Sequence, residues 1–144
     1  MNAINDIQDE IIDEFGFFDD WMQKYEYIID LGKDLPRIDE DKKTDDYRIK
    51  GCQSQVWLDA EPKQDTIDFT ADSDAVITKG IIALLIRVLS GQSAEAIGKS
   101  NLYFIDQIGL KEHLSPTRSS GLLSMVKKMK SYGVAFAHQN EAKS

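Results

Sequence analysis

The sequence predicts an α+β domain: a short antiparallel sheet packed against helices. Three observations lead there. Apolar residues recur at helical spacing near the N-terminus, and two β-rich runs flank a turn in the middle of the chain. An almost unbroken apolar segment, and later a Ser-Pro helix start, then return the chain to helix. The 144 residues suit one domain, expected to span 1–144 with its core at about 18–137 and frayed ends.

Ile4, Ile7, Ile11 and Phe15 form one stripe with acids between them, an amphipathic helix interrupted at Gly16. A second helix from about Phe18 carries Trp21, Tyr25, Ile28 and Ile29. Gly32 followed by Pro36 is expected to stop it. The polar segment Asp39 to Asp46 has no apolar period and predicts a surface loop.

After Gly51-Cys52, SQVWLDA predicts a strand, Pro62-Lys63-Gln64-Asp65 a turn and TIDFT the return strand. Asp72 or Ser73 can cap a helix over Asp74 to Ser90, ended by Gly91, whose apolar positions from Val76 to Leu89 cover nearly its whole circumference. Ser93 caps a short helix, and another is expected around Leu102 to Ile108. Ser115-Pro116 starts a last helix that runs to about Ala137.

Composition removes several functions. A hydrophobic fraction of 42% with 29% charged residues argues against disorder. Lys and Arg number 17 against 25 Asp and Glu, and the net charge of -8 repels phosphate backbones, so no nucleic-acid partner is expected. The longest apolar stretch, Gly80 to Leu89, is about half of a membrane span and contains Arg87, so no membrane partner is expected either. The acidic, polar start MNAINDIQDE is unlike a signal peptide, and a cytoplasmic protein with a free thiol is the expectation. One cysteine can make no internal disulfide and cannot furnish a Cys-ligated metal site or cluster; no metal or cofactor is expected.

That cysteine is the first candidate for chemistry. Gly51 permits an unusual corner before Cys52, the context IKGCQSQ is polar, and Arg48 and Lys50 upstream favour a thiolate. The alternative is a buried apolar filler, the commoner fate of a free cysteine. Arg118 is the second. As the third residue of the last helix it is expected on the face of Leu122, Met125 and Met129, pointing toward the core, where a cation needs an anion. That anion is either a carboxylate or a thiolate. His113 can serve as a base or as a structural hydrogen-bonding residue, and Asp72, Ser73 and Asp74 are explained by the cap. Lys127, Lys128 and Lys130 are a candidate contact for an acidic protein partner, against the plainer reading of a solvated helix face.

The stretch Ile49-Lys50-Gly51-Cys52-Gln53-Ser54-Gln55-Val56-Trp57-Leu58 strongly resembles the active-site segment of the SufE-type sulfur acceptors. The likeness continues in Tyr27 to Gly32 with Leu35-Pro36, in Ala71-Asp72-Ser73-Asp74-Ala75, in Lys79-Gly80, and in His113 to Arg118 with Gly121-Leu122, from about residue 20 to 130. The resemblance implies a SufE/IscU-like α+β fold and a loop cysteine that accepts sulfur from a PLP-dependent cysteine desulfurase of the SufS type. An iron–sulfur scaffold complex would receive that sulfur, and a second copy of the chain is a further candidate partner. Cys52 would then be the acceptor and Arg118 the family's active-site arginine, with Gly51, Lys50, His113 and Asp74 supporting. A cysteine-nucleophile hydrolase with His113 as base, and a binding module with a structural Cys52, remain the alternatives.

Overall fold

The computed structural model describes residues 3–50 and 55–143, without the side chains of 140–143. Helix α1 spans Ala3–Gly16 and α2 Trp21–Lys33. A segment with a single 3-10 turn at Glu40–Lys42 leads to the hairpin β1 (Val56–Lys63) and β2 (Thr66–Ser73). Helix α3 (Val76–Leu89), the two-residue strand β3 (Gln92–Ser93), α4 (Ala94–Lys99), α5 (Phe104–Gln107), α6 (Leu110–His113) and α7 (Pro116–Lys143) complete the chain. The sheet is antiparallel in the order β1-β2-β3, so the predicted α+β class holds.

α3 is buried on most of its surface and is the spine of the core, packing on β2, α1, α2 and α7. Its contact with α2 has no room for side chains at the crossing. A Cβ on Gly80 would lie 2.0 Å from the Ile28 carbonyl oxygen, and one on Gly32 would lie 2.9 Å from the Gly80 nitrogen. The helix does stop between Gly32 and Pro36, at Lys33, but Gly32 itself is still inside it. The helix runs one residue past it, and the glycine is required by the neighbouring backbone.

Other details also depart from the sequence expectation. Val76 begins α3 but is 60% exposed, although Thr78 in the same turn is buried. Pro62 and Lys63 belong to β1, paired with Ile67 and Thr66, and the turn is only Gln64-Asp65, with Gln64 at a φ of 55°. α7 continues past Ala137, and the short elements β3 and α6 lack the periodic length that would announce them.

The N-terminal helix is tied down by polar contacts. Gln8 is buried, donates to the Asn101 carbonyl (3.1 Å) and accepts from the Phe104 N–H (3.1 Å). Glu14 accepts both guanidinium N–H groups of Arg87 on α3 and the hydroxyl of Tyr27 on α2. The Arg87 hydrogen bonds hold the Glu14 carboxyl below its usual range, although partial burial opposes this.

The Gly80 crossing yields a test. Gly80→Ala should lose about 3 kcal/mol or more of stability in urea unfolding, because backbone rather than a pliable side chain blocks the methyl. Gly16→Ala, where a Cβ meets nothing within 4 Å, should change stability by less than about 1 kcal/mol.

Candidate functional site

The chain between α2 and β1 is fastened to both strands of the hairpin. On the β2 side, Arg37 bridges Ala71: the Ala71 N–H donates to the Pro36 carbonyl (2.9 Å) and the Ile38 N–H to the Ala71 carbonyl (3.1 Å). The chain then crosses to the outer edge of β1. There the Ile49 N–H donates to the Val56 carbonyl (2.8 Å) and the Leu58 N–H to the Tyr47 carbonyl (2.9 Å). Ile49 and Val56 are thus one rung, and the connection between them contains Lys50, the four residues Gly51 to Ser54, and Gln55. Gly51 and Cys52, the central candidates, lie outside the described residues, but the two stems that carry them are fixed.

The second stem is held by Asp74. Its carboxylate accepts the Gln55 N–H (3.0 Å), and its own N–H donates to the Gln55 carbonyl (3.2 Å), extending the β1–β2 ladder by one step. This corrects the reading of Asp72, Ser73 and Asp74 as a helix cap. α3 begins from Ala75 with no side-chain cap, and only the Ser73 hydroxyl bonds nearby, to the Ala75 N–H (3.2 Å).

Asp72 has a different task. It is buried, with one oxygen 2.7 Å from Lys43 Nζ and the other 3.4 Å from Lys79 Nζ and accepting the Ser73 N–H (2.8 Å). Lys43 lies also 5.6 Å from the Trp57 ring, and its neighbour Lys42 reaches Asp59 on β1 at 2.7 Å. The segment expected as a free surface loop is therefore pinned across the hairpin. Burial pushes the Asp72 carboxyl up, while Lys43, the Ser73 N–H and Lys79 pull it down further, so its net direction is below the ordinary 3.8.

Arg118 does not point into the core. It is exposed, while Leu122, Met125 and Met129 on the same helix are buried. The first turn of α7 overhangs the end of the packed layer, so the stripe does not extend back to residue 118. The predicted Ser115 cap is present, its hydroxyl accepting the Arg118 N–H (3.3 Å). α7 runs along the hairpin toward its turn: Ser124 lies at the Arg48–Lys50 stem, Tyr132 beside Phe69, and Phe136 at the turn with Pro62 and Gln64. Arg118, about 9 Å up the helix from Ser124, is therefore at the Gln55 end of the hairpin. Lys50 and Arg48 are exposed, and Arg48 approaches Asp45 at 3.8 Å.

His113 has a packing role. Its ring stacks on Trp21 with centroids 3.9 Å apart, its Nδ1 is 3.1 Å from the Gly109 carbonyl, and its own carbonyl accepts the Tyr25 hydroxyl. These contacts join α6 to α2 and leave a base role without support.

The architecture and the sequence around the two stems agree with one family. The profile described as "SufE: Fe-S metabolism associated domain" matches residues 9–133. This chain belongs to the SufE family. The match starts nearer the N-terminus than the sequence blocks suggested. The chain is 43% identical over 127 residues to an uncharacterized SufE-like protein of Rhizobium etli, covering 85% of this chain and 86% of that one. A second, from Rhizobium meliloti, is 41% identical over 128 residues, covering 85% and 91%. SufE-like protein 1, chloroplastic/mitochondrial, of Arabidopsis thaliana is 39% identical over 121 residues, which are 83% of this chain and 33% of that one. The solution structure of a hypothetical protein from Thermus thermophilus superposes with a TM-score of 0.74, covering 90% and 94% of the chains at 18% identity, which shows the fold. Among the described residues no helix is long and apolar enough to cross a membrane.

The Asp72 network predicts an acid dependence of this SufE chain. A carboxyl whose folded pKa is depressed stabilises fully above its unfolded value and loses that contribution as pH falls through the folded one. Asp72→Asn should therefore cost about 1–3 kcal/mol at pH 7, and the gap to wild type should shrink below the ordinary 3.8. Urea midpoints of both proteins across pH check this; a gap constant with pH would refute it.

Proposed function

We propose that this protein is a sulfur acceptor that serves iron–sulfur cluster assembly, with Cys52 receiving sulfur from a PLP-dependent cysteine desulfurase of the SufS type. Membership of a family associated with Fe-S metabolism supports the reading. The observation that carries it is local: the chain's one cysteine lies in a polar connection whose stems are closed by the Ile49–Val56 rung and by Asp74 on Gln55. A relay needs one nucleophile held at a defined place, not the several thiolates of a cluster scaffold.

In the transfer, the Cys52 thiolate attacks the outer sulfur of the donor's cysteine persulfide. A new S–S bond forms on Cys52, the donor's S–S bond breaks, and the donor cysteine leaves as thiolate. No net oxidant is needed. The recipient, an iron–sulfur scaffold complex, removes the sulfur by the same exchange. Arg48 and Lys50 on the first stem, and Arg118 at the start of α7, supply positive charge near this end of the hairpin, which favours the thiolate. Asp74 positions the second stem. The PLP belongs to the donor. A reducing compartment, which we take to be the cytoplasm, keeps the thiol available.

Intact-mass analysis after incubation with a PLP-dependent cysteine desulfurase and L-cysteine tests the reading. Wild type should gain one sulfur and Cys52→Ser none, with the fold unchanged by circular dichroism. Sulfur retained on the Ser variant, or none on wild type, would refute it.

Arg118→Ala should change the unfolding free energy by less than about 0.5 kcal/mol, as an exposed residue does, yet slow persulfide formation several-fold. Unchanged transfer would remove Arg118 from the site.

A further inference from the structure

The lysines of α7 and the stem before Cys52 are brought together by the fold. An open cleft of about 520 Å³ separates them, and its walls carry Arg48 and Lys50 on one side and Lys127 and Lys128 on the other, with Asp45 and Asp46 also at the rim. We propose that this cleft is the docking site for an acidic segment of the sulfur-donating protein. The proposal rests on the sulfur-acceptor reading and names the contact through which the donor engages.

Charge is the first argument. The cleft combines four cations with two carboxylates, whereas the chain as a whole carries -8. The remainder of the molecule is net acidic, so its field favours approach of such a partner at this face. Asp45 approaches Arg48, but Lys50, Lys127 and Lys128 form no ion pair with another described residue. Lys127 and Lys128 are exposed, and Lys128 is 5.1 Å from the Tyr132 ring. The two acids at the rim oppose a continuous phosphate backbone, while a peptide can set its carboxylates against the lysines alone.

Position is the second argument. Lys50 precedes Cys52 by two residues, so covalent geometry keeps their Cα atoms within about 7 Å. An occupant of the cleft is thus beside the nucleophile, and the docking charges can act without touching the reacting sulfur.

The test is Lys127→Glu/Lys128→Glu, two exposed helix positions at which Glu keeps helix propensity, with folding checked by circular dichroism and urea midpoint. Two sulfur sources are compared: a desulfurase with L-cysteine that persulfurates wild type, and inorganic polysulfide. With polysulfide, the thiolate attacks one sulfur, an S–S bond breaks, and a shorter polysulfide leaves. With the desulfurase, the concentration of this protein giving half-maximal persulfide formation should rise about tenfold at ~50 mM salt, and the gap should narrow toward ~500 mM as charges are screened. The maximal rate and the loading by polysulfide should stay at the wild-type level. A half-saturation within about twofold of wild type at low salt would overturn the docking site. So would an equal loss with polysulfide, because the lysines would then act on the thiol. Failure of wild type to take sulfur from any desulfurase would instead sink the sulfur-acceptor reading.

Discussion

A carboxylate with almost no access to water needs compensating charge, and Asp72 obtains it from two lysines of different provenance. Lys43 comes from the segment before the hairpin and Lys79 from the first turns of α3, so three parts of the chain meet at one buried group. Without Lys43 the segment 39–50 would keep Lys42 on Asp59, its backbone bridges and the buried Ile49, but would lose its tie to the end of β2. That segment delivers the stem residue Ile49 to Val56. The Asp72–Lys43 pair thus supports, from the end of β2, the segment whose Ile49–Val56 pairing closes the Cys52 connection.

The rest of the molecule supplies a rigid backing. α2 and α3 approach so closely at Gly32 and Gly80 that neither can slide without a backbone collision, and α4 and α7 do the same at Gly98 and Gly133, where a Cβ on Gly133 would lie 2.6 Å from the Gly98 nitrogen. Two such contacts fix the helices on either side of the hairpin. α7 in turn carries the lysines and Arg118 along the hairpin's length, so the positions of these cations relative to the stems are set by close packing far from them. Exposed charges on long side chains would otherwise specify little.

What was legible in the sequence follows from which signals are local. The stripe Ile4-Ile7-Ile11-Phe15, the Ser93 and Ser115 caps, and the β-rich runs around a turn each state their structure within a few residues. The likeness to one family was equally local. The errors have a common physical source: each residue took its role from a distant partner. Gly32 marks the helix end correctly but owes its place to the backbone of α3, and Asp72 looks like a cap until Lys43 arrives. Arg118 shares a helical stripe with three buried residues, but the stripe is buried only where another element covers it. No spacing rule gives where that cover ends. The short elements β3 and α6 were missed because two to four residues cannot display a period.

These considerations bear on how a sulfur relay can be both reactive and selective, on the reading proposed for this chain. A persulfide must be open to its donor and its recipient yet protected from other thiols and oxidants. A wholly rigid site would fail the first requirement and a wholly loose one the second. Here the stems on both sides are anchored, Ile49 on Val56 and Gln55 on Asp74. Selectivity then has to come from outside the few residues between them, because four polar or small side chains offer little surface to recognise. The neighbouring faces have the needed area, and their charge is unlike that of the remaining surface. On the proposed reading a division of labour follows: the connection that carries Cys52 would perform the exchange, and the stem and α7 would decide which protein is close enough to take part.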